Sequence, residues 1–212
     1  MSARLKVINL GLPKSGTTTL GRALKMAGIK TADYRIRPHQ TDDSAIHDAF
    51  VGDLMYRGYF HTGDPLAHLG EFDGFSEIST LRAGHSLWPQ MDFGLIRALQ
   101  KHHPDARFLA SKRDAFSMSQ SMLAWSDLGM ERLPEGAIPG LPVGYGETTK
   151  ERVQWIESHY ENLRQLFDND SIFMEYDVSD PQAAQKISAH IGRDLPWWGK
   201  INRSRASVRA VS

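Results

Sequence analysis

Apolar residues along the chain form short runs that alternate with stretches of helical spacing. Four short runs bounded by glycine or polar residues are typical of buried strands, and they cover residues 5–10, 75–79, 106–111 and 172–178. Between them the apolar spacing predicts helices over residues 17–27, 46–54, 95–103, 116–128, 148–167 and 180–192. Strands that alternate with helices predict an α/β fold, in which a central parallel sheet is covered on both faces as a three-layer α/β/α structure. Ligands in such folds bind at the carboxyl ends of the strands.

Local signals mark the start of two helices and one long loop. Thr148 and Glu151 have the spacing of a capping box, which predicts a helix start at this point. Asp180 and Pro181 predict the N-cap and first residue of the last helix. Residues 129–146 hold five glycines and three prolines. This composition predicts a long functional loop with hinges, which we expect to close over a substrate.

Composition narrows the class of protein. The 212 residues fit one domain, with a basic, flexible tail over residues 200–212. Lys and Arg number 25, as do Asp and Glu, so overall charge does not favour binding to nucleic acid or to an anionic membrane. No run approaches the roughly 18 apolar residues of a membrane-spanning helix, and no signal peptide is evident, so a cytoplasmic location is expected. The absence of cysteine excludes disulfides and thiolate chemistry.

The most informative stretch is GLPKSGTTTL at residues 11–20, which follows a predicted strand and opens a predicted helix. In that context the backbone N–H groups at the helix start can hold an anion, aided by the helix dipole. The stretch departs from the triphosphate-binding pattern G-x-x-x-x-G-K-[ST] because Thr17, not lysine, follows Gly16. The lysine, Lys14, stands inside the loop instead. Its charge is therefore expected at a different point of the ligand.

Residues 13–18, PKSGTT, resemble the 5′-phosphosulfate loop of the sulfotransferases that use 3′-phosphoadenosine 5′-phosphosulfate (PAPS), whose signature is P-[KR]-x-G-[TS]-[TS]. The resemblance implies a P-loop NTPase-like fold and a single sulfotransferase-like domain. It implies that Lys14 contacts the sulfonate and the leaving oxygen. It also implies that the 5′-phosphate is bound by the loop residues Ser15, Gly16, Thr17 and Thr18 together with Lys14.

A second stretch resembles the same family independently. The predicted strand over residues 106–111 runs into Arg113, and Ser121 stands eight residues after that arginine. In the family an arginine and a serine at this spacing bind the 3′-phosphate, a group that ATP and GTP lack. The chemistry suits that role, because an arginine fork matches a phosphate and the hydroxyl follows about two helical turns later.

The end of the chain resembles the family more loosely. Residues 191–202 are similar to the C-terminal part of bacterial sulfotransferases, where a helix, a proline and an asparagine precede a loop near the nucleotide. Arg203 and Arg205 are then candidates for the 3′-phosphate. Trp197 and Trp198 either cover the adenine or pack in the core.

The chemistry of sulfuryl transfer requires a general base for the proton of the acceptor. In the family this base is a histidine or a carboxylate whose position varies. The candidates here are His85, placed first because an imidazole has a suitable pKa, then Asp33 and Glu77. No histidine spacing of the H-E-x-x-H kind occurs, so no metal site is expected.

The sequence thus predicts a sulfotransferase that moves a sulfonate from PAPS to a hydroxyl or amine of a small-molecule or carbohydrate acceptor, leaving 3′-phosphoadenosine 5′-phosphate (PAP). No metal, nucleic acid or membrane is expected to take part. Two alternatives stay open. One is a nucleotide or small-molecule kinase of the same fold, and the other is a nucleotide-binding module without catalysis.

Overall fold

The structure, a computed structural model, describes residues 4–199 and 201. Its centre is a sheet of five parallel strands in the order β2-β3-β1-β6-β7. A separate antiparallel hairpin is formed by β4 and β5. The strands are β1 Val7–Asn9, β2 Thr31–Ala32, β3 Gly74–Phe75, β4 Thr80–Arg82, β5 His85–Leu87, β6 Arg107–Lys112 and β7 Phe173–Asp177.

Helices cover both faces of the sheet because successive strand residues point to opposite sides. Ile8 belongs to an apolar cluster built with the helices that follow β3 and β6, whereas Val7 belongs to a second cluster with α1 and α7. The helices are α1 Thr17–Met26, α2 Val51–Thr62, α3 Phe93–His102, α4 Ala115–Leu123, α5 Leu133–Glu135, α6 Thr149–Phe167 and α7 Ala183–Ile191. The predicted α/β class with a central parallel sheet and helices is confirmed. No helix in the described ranges combines the length and apolar character needed to cross a membrane.

The strand order creates a crevice beside β1. From β1 the chain passes to β2 and β3 on one side, and β6 and β7 lie on the other side. In parallel sheets the connections then diverge at the carboxyl ends of the strands, which opens a ligand-binding crevice at this switch point. The β1–α1 loop, residues 10–16, and the turn after β6 border that crevice.

The region between α1 and α3 differs most from the sequence prediction. The predicted strand over residues 75–79 is confined to Gly74–Phe75, and the hairpin of β4 and β5 and the short β2 were not predicted. The predicted helix over 46–54 starts only at Val51, because a 3₁₀ turn at Ser44–Ile46 is followed by Asp48 in the left-handed conformation with φ 61°. A positive φ at a non-glycine residue ends helical continuity.

Residues 129–146 are less open than their composition predicted. A π-helical turn, Leu128–Arg132, continues into α5. The segment then packs against the core through buried Ile138 and Leu141. The fully buried Arg152 donates to the carbonyl oxygens of Gly146 at 2.6 Å and of Glu147 at 2.8 Å. This segment is therefore packed against the core, and Arg152 holds its C-terminal end.

The two predicted helix starts have different outcomes. The capping box of α6 is confirmed, since Thr148 accepts from the Glu151 N–H and the Glu151 carboxylate accepts from the Thr148 N–H. The predicted N-cap of α7 is wrong, because the helix begins at Ala183 after Gln182. Asp180 caps the preceding turn instead and forms an ion pair with Lys186 at 2.6 Å.

Candidate functional site

A cavity of about 1320 Å³ opens at the carboxyl ends of the strands and reaches from the β1–α1 loop to the β4–β5 hairpin. Its lining combines the loop, the first turns of α1, residues after β2 and β3, the start of α4 and the turn after β7. Of the residues singled out by sequence, it brings together Lys14, Gly16, Thr17, Thr18, Asp33, Glu77, Arg113 and Ser121.

Asn9 fixes the start of the β1–α1 loop. Its side-chain amide donates to Ser76 O at 2.8 Å and to Ser111 Oγ at 3.1 Å, and its Oδ1 accepts from the Gly11 and Ser111 N–H groups. One buried side chain thus joins the ends of β1, β3 and β6. Gly11 is required beside it, because a Cβ at that position would lie 2.3 Å from Ser111 Oγ.

Helix α6 holds the same loop through hydrogen bonds from two of its residues. His159 lies 2.8 Å from Leu10 O through Nε2, and burial lowers the pKa of this histidine to about 4, so the neutral ring donates that hydrogen bond. The Tyr160 hydroxyl donates to Ser111 O at 2.7 Å and accepts from the Leu12 N–H. Two adjacent residues of one helix therefore hold the loop at the mouth of the crevice.

The loop presents open backbone donors where α1 begins. Gly16 has φ 109°, a left-handed conformation, and a Cβ there would lie 2.6 Å from a Val178 methyl group. Helix α1 has no side-chain cap. Within the described ranges, no acceptor takes the N–H groups of Gly16, Thr17 and Thr18. Such a helix start, rich in glycine and with free N–H groups, is suited to an oxyanion.

Ser15 does not face the cavity. Its side chain is fully buried, and its Oγ lies 2.6 Å from Ser111 Oγ. The hydroxyl therefore ties the loop to β6 and does not face a bound anion, contrary to the prediction. Its backbone N–H already donates to Leu12 O at 3.2 Å.

Lys14 projects into the cavity from a strained position. It adopts φ 73°, and its Nζ lies 3.4 Å from the ring centroid of Trp125, in a cation–π contact. Burial, reinforced by repulsion from Arg113, lowers the pKa of Lys14 to about 8. With this pKa Lys14 is still mostly protonated at pH 7, and an anion bound beside it would offset the cost of burial and the repulsion from Arg113.

Arg113 and Ser121 line the cavity together, as their spacing predicted. Arg113 is exposed and forms no ion pair with any carboxylate in the described part of the chain. Asp114, next to it, caps α4 by accepting from the Ser117 N–H at 2.8 Å. The cap fixes the start of the helix that carries Ser121. The Arg113 guanidinium and the Ser121 hydroxyl therefore lie on the same side of the cavity.

The three candidate bases lie in different places. Asp33 and Glu77 line the cavity, whereas His85 is exposed on β5, outside the lining, with its ring 5.4 Å from Phe50 in an edge-on contact. The structure thus does not bring His85 together with Lys14. The reason is that residues 80–87 fold back as a hairpin rather than continuing from a strand end, as the sequence suggested.

Glu77 carries the strongest perturbation of the candidate bases. Burial raises its pKa to about 7, against the lowering effect of hydrogen bonds from Ser79 and Thr17, and Asp33 raises it further. Its Oε1 accepts from the Ser79 hydroxyl at 2.5 Å and from the Ser79 N–H at 3.2 Å. A carboxylate with a pKa near neutrality in a cavity is suited to accept a proton.

The cavity is rich in positive charge. Its basic lining residues are Lys14, Arg22, Lys25, Arg82, Arg113 and Arg132, and its acidic ones are Asp33, Glu77 and Asp180. Of these, Arg132 is paired with Asp127 and Asp180 with Lys186. The basic side chains that remain outnumber the acidic ones, and this excess of positive charge favours an anionic ligand.

The C-terminal segment closes one side of the cavity. Trp198, Gly199 and Ile201 line it, and the Thr19 hydroxyl donates to Gly199 O at 3.1 Å. The Trp198 ring also packs edge-on against a buried tyrosine of β7. The Arg203 and Arg205 candidates and nearly all of the predicted tail over residues 200–212 lie outside the described residues.

Sequence reasoning missed several residues of the site. Asn9 and Tyr160 anchor the loop, and Trp125 contacts Lys14, yet none of them belongs to a local motif. A polar residue inside an apolar strand was the available signal for Asn9, because a buried amide needs partners. No local signal marked Trp125.

Comparison with protein-family models and with curated proteins finds no match for this chain. Within the described ranges, no group of three or more His, Asp or Glu side chains is placed to hold a metal ion.

Proposed function

We propose that the protein is a PAPS-dependent sulfotransferase with a P-loop NTPase-like fold. The observation that carries the proposal is the joining of two separate sequence motifs in one cavity. Lys14 from the β1–α1 loop, Arg113 from the turn after β6 and Ser121 from α4 line it together at the carboxyl ends of adjacent strands. The two motifs are far apart in the sequence, so their meeting in one cavity is independent support for the proposal.

The donor would be held by its two phosphate ends. The open N–H groups of Gly16, Thr17 and Thr18 suit the 5′-phosphate, and the fork of Arg113 with the Ser121 hydroxyl suits the 3′-phosphate. PAPS supplies an activated phosphosulfate anhydride, whose sulfur is attacked as the bond to the 5′-phosphate oxygen breaks. Lys14 is placed on the loop to stabilise the negative charge that develops on that oxygen.

The acceptor proton requires a base that lines the cavity. Glu77 is our choice among the predicted candidates, because it lines the cavity and its pKa of about 7 lets it be ionised at neutral pH yet bind a proton. Asp33 raises that pKa by repulsion. Ser79 orients the carboxylate through two hydrogen bonds.

The kinase alternative is disfavoured by the loop itself. A triphosphate loop places lysine directly after the last glycine, whereas this position holds Thr17, which is buried and hydrogen-bonded to Glu77. The cation of this chain stands at Lys14, before Gly16.

Binding calorimetry with PAP, 5′-AMP and ATP tests the proposal. PAP should bind roughly ten- to a hundred-fold more tightly than 5′-AMP, because one charge-assisted phosphate contact is worth about 1.5–3 kcal/mol. Arg113→Ala should remove most of that difference and leave AMP binding nearly unchanged. Arg97→Ala, an exposed arginine outside the cavity, is the matched control. Equal affinities for PAP and AMP, or tightest binding of ATP, would contradict the assignment.

Turnover separates an enzyme from a silent binding module. Release of PAP from PAPS should be measured with a panel of hydroxyl and amine acceptors. Glu77→Gln should abolish transfer while PAP affinity stays within a few-fold of the wild type, because this carboxylate is assigned to the acceptor. Wild-type rates in Glu77→Gln would remove Glu77 from the mechanism.

A further inference from the structure

Two arginine side chains lie against the ring of one tyrosine near the β4–β5 hairpin. The guanidinium carbons of Arg37 and Arg82 lie 5.2 Å and 5.7 Å from the ring centroid of Tyr34. Arg37 also donates through Nη2 to the Tyr34 hydroxyl at 3.3 Å. We call Arg37, Tyr34 and Arg82 the arginine–tyrosine cluster.

Arg37 is partly compensated by its surroundings, because the hydrogen bond to Tyr34 and the charges of Asp33 and Asp48 raise its pKa. Within the described ranges, no carboxylate forms an ion pair with Arg37 or Arg82. The nearby Asp48 is taken by Arg35, whose Nη2 lies 3.0 Å from Asp48 Oδ1. Arg82 lines the cavity without an ion-pair partner in the described residues, so an oxyanion bound beside it would meet an unopposed guanidinium.

The cluster lies at the end of the cavity bordered by the β4–β5 hairpin, and Arg37 itself is not part of the cavity lining. Tyr34 directly follows Asp33, and Arg82 ends the strand β4 that begins at Thr80, soon after Glu77. Tyr34 and Arg82 both line the cavity, as do Leu81 and Trp88. An acceptor whose hydroxyl reached Glu77 would therefore bring its remaining atoms against an apolar wall that ends in positive charge.

We propose that the arginine–tyrosine cluster binds an anionic group of the acceptor, so that the acceptor is a hydroxyl compound that also carries a carboxylate or sulfate. The identification of the bound compound as the acceptor rests on the proposed function, whereas the anion site itself does not. Arginine forks bind planar and tetrahedral oxyanions by paired hydrogen bonds, and a tyrosine between them fixes their orientation. The apolar residues beside the cluster suit a ring or carbon chain between the hydroxyl and the anion.

Sulfate binding to the PAP-loaded protein tests the anion site. With PAP saturating the donor site, sodium sulfate is titrated at constant ionic strength and the thermal unfolding midpoint is followed. Sulfate should raise the midpoint of the wild type, and Arg82→Gln should shift half-saturation at least ten-fold higher. Arg97→Gln, which removes the same charge from an exposed arginine outside the cavity, is the matched control.

Equal half-saturation for the wild type and Arg82→Gln would overturn the proposal, as would an equal loss in Arg97→Gln. PAP binding is measured on its own by calorimetry for the wild type and Arg82→Gln, so a failure of PAP binding and a failure of the anion site are separate results. In a turnover screen of hydroxyl compounds paired with and without a carboxylate, the carboxylates should be preferred. Preference for the neutral members would also overturn it.

Discussion

Glu77→Gln should stabilise the fold, and by an amount that depends on pH. The pKa of Glu77 is raised from its ordinary value of 4.5 to about 7 in the folded protein, chiefly by burial. The folded state therefore holds a proton that the unfolded state releases. The contribution of this proton to stability is complete below pH 4.5 and is lost as pH rises to about 7. Glutamine at this position does not titrate, so it avoids that loss.

The size of the effect follows from the pKa shift. Each pKa unit corresponds to about 1.4 kcal/mol, which gives an upper limit near 3 kcal/mol, and we expect about 2 kcal/mol because the side chain is only partly buried. Urea unfolding at pH 5 and pH 8 measures it as the change in the stability difference between wild type and Glu77→Gln. Glu157→Gln, on the exposed face of α6, is the control. A stability difference that is the same at both pH values would refute the reasoning.

Three further results are expected. Because the pKa of Lys14 is lowered to about 8 by burial and by Arg113, the kcat/KM of the wild type should fall above pH 8, and Arg113→Ala should move that fall to higher pH; a flat profile to pH 10 would contradict this. Lys14→Ala should lower kcat about 10²–10³-fold with little change in PAPS affinity, and a raised KM with normal kcat would show that the lysine only binds the donor. Gly16→Ala should cost about 1–3 kcal/mol more in urea unfolding than Gly144→Ala, because both have positive φ but only Gly16 also has a close neighbour; equal costs would contradict the packing described.

The sequence was most informative where local rules and packing agree. The apolar run that became β6, the helical stripe and capping box of α6, and the strand–loop–helix at the start of the chain all follow from residues close to each other. A loop between a strand and the helix that follows it is a local feature, so the placement of Lys14 and Gly16 at the cavity was predictable. The spacing of Arg113 and Ser121 was equally so, because one strand end and one helix determine it.

The rest depends on contacts between distant residues. The hairpin that carries His85 away from the cavity forms from six strand residues with weak periodicity. The packing of residues 129–146 depends on Arg152, which reaches back to two carbonyl oxygens that no local pattern indicates. The raised pKa of Glu77 likewise arises from burial and from the approach of Asp33 across two strand ends. Such arrangements are set by tertiary structure, which single-sequence patterns do not encode.

A crystal structure with PAP tests the central claim most directly. The account predicts the 5′-phosphate within hydrogen-bonding distance of the Gly16, Thr17 and Thr18 N–H groups, and the 3′-phosphate against Arg113 and Ser121. Lys14 should leave the Trp125 ring and approach the oxygen of the 5′-phosphate that carries the sulfonate in PAPS. PAP bound with its two phosphates exchanged, or bound outside this cavity, would contradict the account.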